Sequence, residues 1–320
     1  MRLSLASTLL SLATQSAAGD ISLGLPIDCV LGKTCHIQQT VDHDPSVNAS
    51  DFMCGSLTYD EHKGTDFALP SLAAQAAGVD VLAAAPGTVS GVRNDMQDRL
   101  QTGPNAPYVT GKECGNGVVV NHRNGWETQY CHLAKDSIAV RSGDTVAIGA
   151  VLGQVGLSGQ TQFPHLHLSV RKDGNVVDPF DPDGLIICDA PSETILWSIP
   201  IDAPPGGLIA AGFASDVPEY NDIKAGDAAA ETLQTSDPLV VWGHVFGGRP
   251  ADKINLKIIG PEGDLIDQTL VLERTQSQLF RATGLRAPTG GWPAGHYTGE
   301  IKLTREGNVL DTATTSVTIN

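Results

Sequence analysis

Short strand-forming runs, each closed off by glycine, proline or an Asn/Asp turn, restrict this fold more than any other feature of the chain. Gly78–Val92 reads as two short strands broken at Pro86-Gly87. Gly117–His122 and Trp126–Leu133 flank Arg123-Asn124-Gly125, a hairpin signal. Val140–Val146 and Val151–Gly156 follow, and then His165–Arg171 and Val176–Pro179, joined across Lys172-Asp173-Gly174-Asn175. Strands this short, with few helical stretches between them, predict a mainly β protein. An antiparallel β domain is expected over 56–188. The 35 glycines and 19 prolines supply the turns.

The flanks divide the remaining chain. Met1–Ala13 has a basic start and a short apolar run, and Ser16-Ala17-Ala18 resembles a small-residue cleavage site. This predicts a secretory leader over 1–18, too short to span a membrane. No other stretch is long and apolar enough for a span, so a periplasmic or secreted product is expected. Residues 19–55 carry three cysteines and little periodicity, and read as an arm tied to the main domain. Polar residues 94–113 read as an inserted loop, and 189–237 as a linker. Strand-like runs return over 238–320 and predict a small immunoglobulin-like β-sandwich. That sandwich is expected to act as a wall- or partner-binding module or as a spacer.

Six cysteines in an exported chain point to disulfides. Fifteen pairings are open; Cys114 and Cys131, flanking adjacent strands of one hairpin, are the pair expected. No C-x2-C spacing supports a cysteine-ligated zinc. The formal net charge of −16 argues against a nucleic-acid partner and against docking on anionic lipid.

Three stretches carry chemistry. In Pro164-His165-Leu166-His167, residues two apart on a strand face the same side, with Cα atoms about 6–7 Å apart. That suits one metal ligand beside one free imidazole. His62 and Asp66 lie four apart around Gly64. In an extended strand they would be about 13 Å apart, too far to share an ion, whereas a bend at Gly64 unites them. The same residues also read as a turn with a surface histidine and a capping aspartate. His132 follows at a strand edge, and His122, in an equally good strand position, is expected to be structural.

Taken together, His62-x-x-x-Asp66, Gly115–His122 with Tyr130-Cys131-His132-Leu133, Ser142–Val146 with Gly153–Gly156, and Pro164–His167 resemble the lysostaphin-type (LytM-like) zinc metallopeptidases, which cut peptidoglycan cross-bridges. The resemblance covers residues 56–180. It implies one zinc ion per chain, held by His62, Asp66 and His167, with His132 and His165 as catalytic histidines and Asn116 near the groove. Departures are the 94–113 insertion and the cysteines, notably Cys131. The function implied is an exported zinc endopeptidase acting on peptidoglycan. Alternatives are a catalytically silent regulator of wall hydrolases, although such members usually lose ligands that this chain keeps, and a zinc endopeptidase of protein substrates.

Overall fold

A computed structural model describes residues 21–102, 109–188 and 192–320. The expected leader 1–18 lies outside the described residues, as do parts of the expected 94–113 loop and of the expected linker. The first half of the chain contains β1 (His36–Gln39), β2 (Thr65–Ala68), α1 (Leu72–Ala76), β3 (Asp80–Leu82), β4 (Gly87–Arg93), β5 (Asn116–Asn121) and β6 (Trp126–Leu133). It continues with β7 (Thr145–Val146), β8 (Val151–Gln154), β9 (His165–Lys172) and β10 (Asn175–Val176). One antiparallel sheet runs β1-β2-β9-β6-β5-β4-β7, with β10 added to β9, while β3 and β8 form a separate pair. The expected strand over 140–146 shrinks to Thr145–Val146. Arg141 N donates to Asp144 Oδ2 at 2.8 Å and turns the chain before it can pair.

Alternation decides the two faces of this sheet. Leu166, Leu168 and Val170 on β9 and Phe67 on β2 are fully buried in the core. Their neighbours Asp66, His165 and His167 therefore face the other way. Fully burying a side chain of this kind stabilises the fold by about 1.5–3 kcal/mol, which makes a one-residue slip of register costly. Register then sets Asp66 opposite His167 and Ala68 opposite His165.

Two segments behave differently from the sequence expectation. The 19–55 arm is part of this domain: β1 is the edge strand of the main sheet, and Leu23, Ile27 and Ile37 are buried in its core. Cys29 pairs with Cys35, and Cys54 with Cys188, so the segment is also fastened to the far end of the domain. The 189–237 linker is largely structured. Leu196 and Trp197 fill the same first core, and β11 (Gly207–Ala214), α2 (Tyr220–Ala225) and β12 (Thr232–Leu233) belong to the C-terminal domain. Apolar pattern explains both: isolated buried residues in loops carry no period to read.

The C-terminal domain adds β13 (Leu239–Gly248), β14 (Lys253–Gly260), β15 (Gly263–Val271), β16 (Gln276–Leu285), β17 (Gly295–Arg305) and β18 (Asn308–Ile319). A three-stranded sheet, β11-β13-β16, faces a five-stranded one, β12-β18-β17-β14-β15. Val241, Val245, Ile254, Leu256, Ile301 and Leu303 fill the space between them. Every residue of β13 is buried, because both of its faces are covered. One face is the sandwich core. On the other, the Phe246 ring lies 4.5 Å from the ring of His36 in the first domain.

The two domains are directly bonded. Gln38 Nε2 donates to the Ser277 carbonyl at 3.0 Å, and Gln278 Nε2 donates to Gln38 Oε1 at 2.8 Å. Gly226 ends α2 at φ 96°, and a Cβ there would stand 2.8 Å from Ser71 Oγ at the start of α1. Glycine is needed there for both the backbone angle and the close approach. Among the described residues no helix is long and apolar enough to cross a membrane.

Candidate metal centre and active site

Five polar side chains converge on the face of β2, β9 and β6 that turns away from the apolar core. Asp66 and His167 are opposite one another in the ladder, and His167 Nδ1 lies 2.8 Å from Asp66 Oδ1. His62 enters from the turn before β2, with its Nε2 3.2 Å from both Asp66 Oδ1 and His167 Nδ1. The bend at Gly64 thus joins His62 and Asp66, and the surface-turn alternative does not hold, since both are 2% exposed. His165 Nε2 stands 3.6 Å from Asp66 Oδ1.

His132 reaches the same face by a different route. On β6, Cys131 is opposite His167, so strict alternation would turn His132 toward the core. Its φ of 63° breaks the alternation. That left-handed conformation is unfavourable for a non-glycine residue and swings the imidazole back to the site side. The turn is held by His132 N donating to Cys114 O and by Gly156 N donating to His132 O, both at 2.8 Å. The Cys114–Cys131 disulfide, the pairing expected from the hairpin, closes the same corner. As a result the His132 and His165 rings are 4.7 Å apart.

Backbone carbonyls fix three of the four tautomers. A carbonyl can only accept, so the ring nitrogen facing it carries the proton. His62 Nδ1 donates to Thr40 O at 2.6 Å, His132 Nδ1 to Ser158 O at 2.8 Å and His165 Nδ1 to Phe163 O at 2.9 Å. In its neutral form each ring therefore presents an unprotonated Nε2 to the centre. His167 is held at its outer nitrogen by Ser169 Oγ, 3.1 Å from Nε2, and turns Nδ1 inward. Such outward partners orient and tune metal-binding histidines.

The donor set fits a divalent metal. The three facing atoms of His62, Asp66 and His167 are 2.8–3.2 Å from one another. Nitrogen and oxygen donors at bond lengths of about 2.0–2.2 Å around one tetrahedral ion meet at similar spacing. A second grouping, His132, His165 and His167, also lies within common reach. Charge favours a cation as well. Burial works to raise the Asp66 pKa, but His62, His165 and the hydrogen bond from His167 outweigh it and hold the carboxyl well below its usual range. Burial lowers His62, yet the Asp66 carboxylate outweighs it and raises the imidazole. Burial, then the neighbouring His165 and His167, pushes His132 well below the ordinary histidine value, and burial also lowers His165.

The remaining expectations find their places around this centre. Asn116 is fully buried and donates to Met96 O at 2.8 Å and Leu133 O at 3.2 Å. It pins the 94–102 segment beside His132 rather than facing the groove. His122 is structural, as expected, bonding Pro86 O and Thr128 Oγ1. Two aromatic side chains beside the centre carried no sequence signal. The Phe163 ring stacks on His165 at 4.4 Å, and the Tyr59 ring lies 4.5 Å from that of His62.

Residues 60–179 match the family described as Peptidase family M23. Over these residues the chain is similar to M23 peptidases. Among curated proteins, it is 34% identical over 117 residues to the peptidoglycan DD-endopeptidase ShyA of Vibrio cholerae, covering 37% of this chain and 22% of that protein. It is 34% identical over 122 residues to the DD-carboxypeptidase/endopeptidase Mpg of Neisseria meningitidis, covering 38% of this chain and 23% of that protein. The chain thus spans less than a quarter of the length of these relatives. Among solved structures, the catalytic domain of the M23 protein EnpA from Enterococcus faecalis is 23% identical. The match covers 48% of this chain and 93% of that one, with a TM-score of 0.33. The M23 match contains all five converging side chains, but begins after Thr40, which orients the first of them.

Proposed function

We propose that the chain is an exported zinc-dependent endopeptidase that hydrolyses peptide cross-links of peptidoglycan. The observation that carries this is the convergence of His62, Asp66 and His167 on one point, faced by the free Nε2 atoms of His132 and His165. The named activities of ShyA and Mpg support the choice of substrate. The intact donor set favours catalysis over a silent regulator.

His62, Asp66 and His167 would hold the ion, and Asp66 would offset part of its charge. A bound zinc ion supplies Lewis acidity, polarising a carbonyl and making a water molecule easier to deprotonate. His132 and His165 are kept neutral by burial, so each can accept a proton at Nε2 at neutral pH. Between them they take the proton of the attacking water, hold the developing oxyanion and return a proton to the leaving amine. Phe163, stacked on His165, keeps that ring in place. The three disulfides suit the oxidising compartment in which the wall lies.

Digestion of purified cross-linked peptidoglycan tests this, with products read by mass spectrometry. The zinc-loaded protein is expected to release new peptide ends. A chelator and His165→Ala should each abolish release. Zinc-loaded protein that leaves the wall intact but cleaves an unfolded protein would instead favour a protein substrate.

A further inference from the structure

A cavity of about 550 Å³ opens beside Asp66 and His165, and its opposite wall belongs to the C-terminal domain. Asp66, Phe163 and His165 line it from the peptidase side, and Tyr220, Lys224 and Gln278 from the other. That wall is held in place. Gln278 is bonded to Gln38, Tyr220 stacks on Phe280 with ring centroids 5.6 Å apart, and α2 abuts Ser71 at Gly226. A second cavity of about 240 Å³ shares Phe163, Lys224 and Gln278 with the first. Lys224 therefore stands where the groove continues away from the catalytic centre.

Its chemistry is out of keeping with the rest of the chain. The protein has 36 acidic and 20 basic residues, yet Lys224 is the one lysine or arginine among the described residues lining the larger cavity. No ion pair among the described residues involves it, and its ammonium lies over the Tyr220 ring, 4.9 Å from the centroid. The single carboxylate of that lining, Asp66, is already engaged by histidines. A positioned cation with no carboxylate of its own, in a groove leading from a peptidase centre, is complementary to an anionic group on the substrate.

We propose that Lys224 is a specificity-determining residue of the peptidase groove and binds a carboxylate of the peptide substrate, so that the C-terminal domain forms part of the substrate site. This rests on the peptidase reading above. The carboxylate is either the C-terminal one or a side-chain one within the peptide.

The test is binding of a fluorescently tagged, lysine-type peptidoglycan stem tetrapeptide, whose two carboxylates are the C-terminal one and that of its glutamate, to the full chain, with chelator present so that nothing is cut. The peptide is used with free carboxylates, with the C-terminal or the internal glutamate carboxylate amidated, and with both amidated. The wild-type chain is expected to bind the free peptide about tenfold tighter than the fully amidated one, the scale of a charge-assisted hydrogen bond partly open to solvent. Lys224→Gln should lose this difference while binding the amidated peptide as the wild type does, and Lys224→Arg should keep it. The single amidation that abolishes the difference names the carboxylate. Equal binding of all peptides by the wild type, or undiminished discrimination by Lys224→Gln, overturns the proposal. Discrimination by a protein that leaves the wall intact when zinc-loaded upholds the carboxylate site and rejects the wall-endopeptidase reading instead.

Discussion

Replacing Gly64 with alanine puts a methyl group where the structure has room only for hydrogen. A Cβ built there stands 2.6 Å from His167 Nε2 and 2.6 Å from the Leu168 carbonyl oxygen. An ordinary contact begins near 3.4 Å, so ring and carbonyl must each retreat by about 0.8 Å. The carbonyl belongs to β9, which pairs with β2 at this point, and it cannot swing aside as a side-chain end could. The ring carries Nδ1, one of the three atoms facing the metal position. Metal–ligand distances tolerate only about 0.2 Å, so the forced displacement is several times what the centre can absorb. Zinc affinity should fall about 10–100-fold, the scale seen when the surroundings of a metal ligand are disturbed. Overpacking should also cost about 1–3 kcal/mol of stability. Competition of the variant against a chromogenic chelator measures the first effect, and thermal unfolding with and without zinc the second. Gly91→Ala is the control: it too lies in a strand, has nothing within 4 Å of its Cβ, and should change neither quantity. A Gly64→Ala protein that binds zinc within twofold of the wild type would refute the reasoning.

Asn116→Ala leaves the Met96 N–H and carbonyl without their side-chain partner, while the Leu133 carbonyl still accepts from Ser158 Oγ, and should cost about 2–3 kcal/mol in chemical denaturation. Because Asn116 supports the strand end that carries His132 and not the ion's ligands, zinc stoichiometry should be retained while turnover falls; loss of zinc would contradict that division. Acid should weaken the contact between the domains. Burial lowers the His36 pKa from 6.5 to about 4, so the folded protein holds this ring neutral while the unfolded chain protonates it. The unfolded state then binds the extra proton as pH falls from 6.5 to 4, and up to about 3 kcal/mol of stability is lost over that window and regained as pH rises. His36→Phe, which keeps a ring against Phe246, should flatten the fall in melting temperature between pH 6.5 and 4; an unchanged slope would exclude His36 as the cause.

The parts of the site that were readable in advance depend on local pattern. His165 and His167 are two apart in a strand, so their shared face follows from the pleat, and Gly64 marked the bend that His62 and Asp66 require. His132 was located but its orientation was not, because a positive φ at a histidine leaves no mark in the sequence. The partners from a distance were also hidden. Thr40 orients His62 across 22 positions and Gln38 meets Ser277 across 239, and nothing near either residue signals the other. The same holds for the 19–55 and 189–237 segments. Their buried Leu23, Ile27, Leu196 and Trp197 are single anchors in irregular chain, without the repetition from which a strand is read.

The carbonyl of Thr40 also bears on how portable this catalytic unit is. It lies just past an edge strand that precedes the M23 match, and on the opposite side Lys224 comes from a domain that follows it. A chimera built by moving 60–179 into a foreign scaffold would inherit every side chain of the centre, yet leave its first histidine free to turn and one wall of its groove missing. Such a graft would keep the composition of the site and lose its aim. Transfer of this catalytic unit is therefore expected to succeed only when the leading strand and the trailing sandwich travel with the peptidase as one cassette.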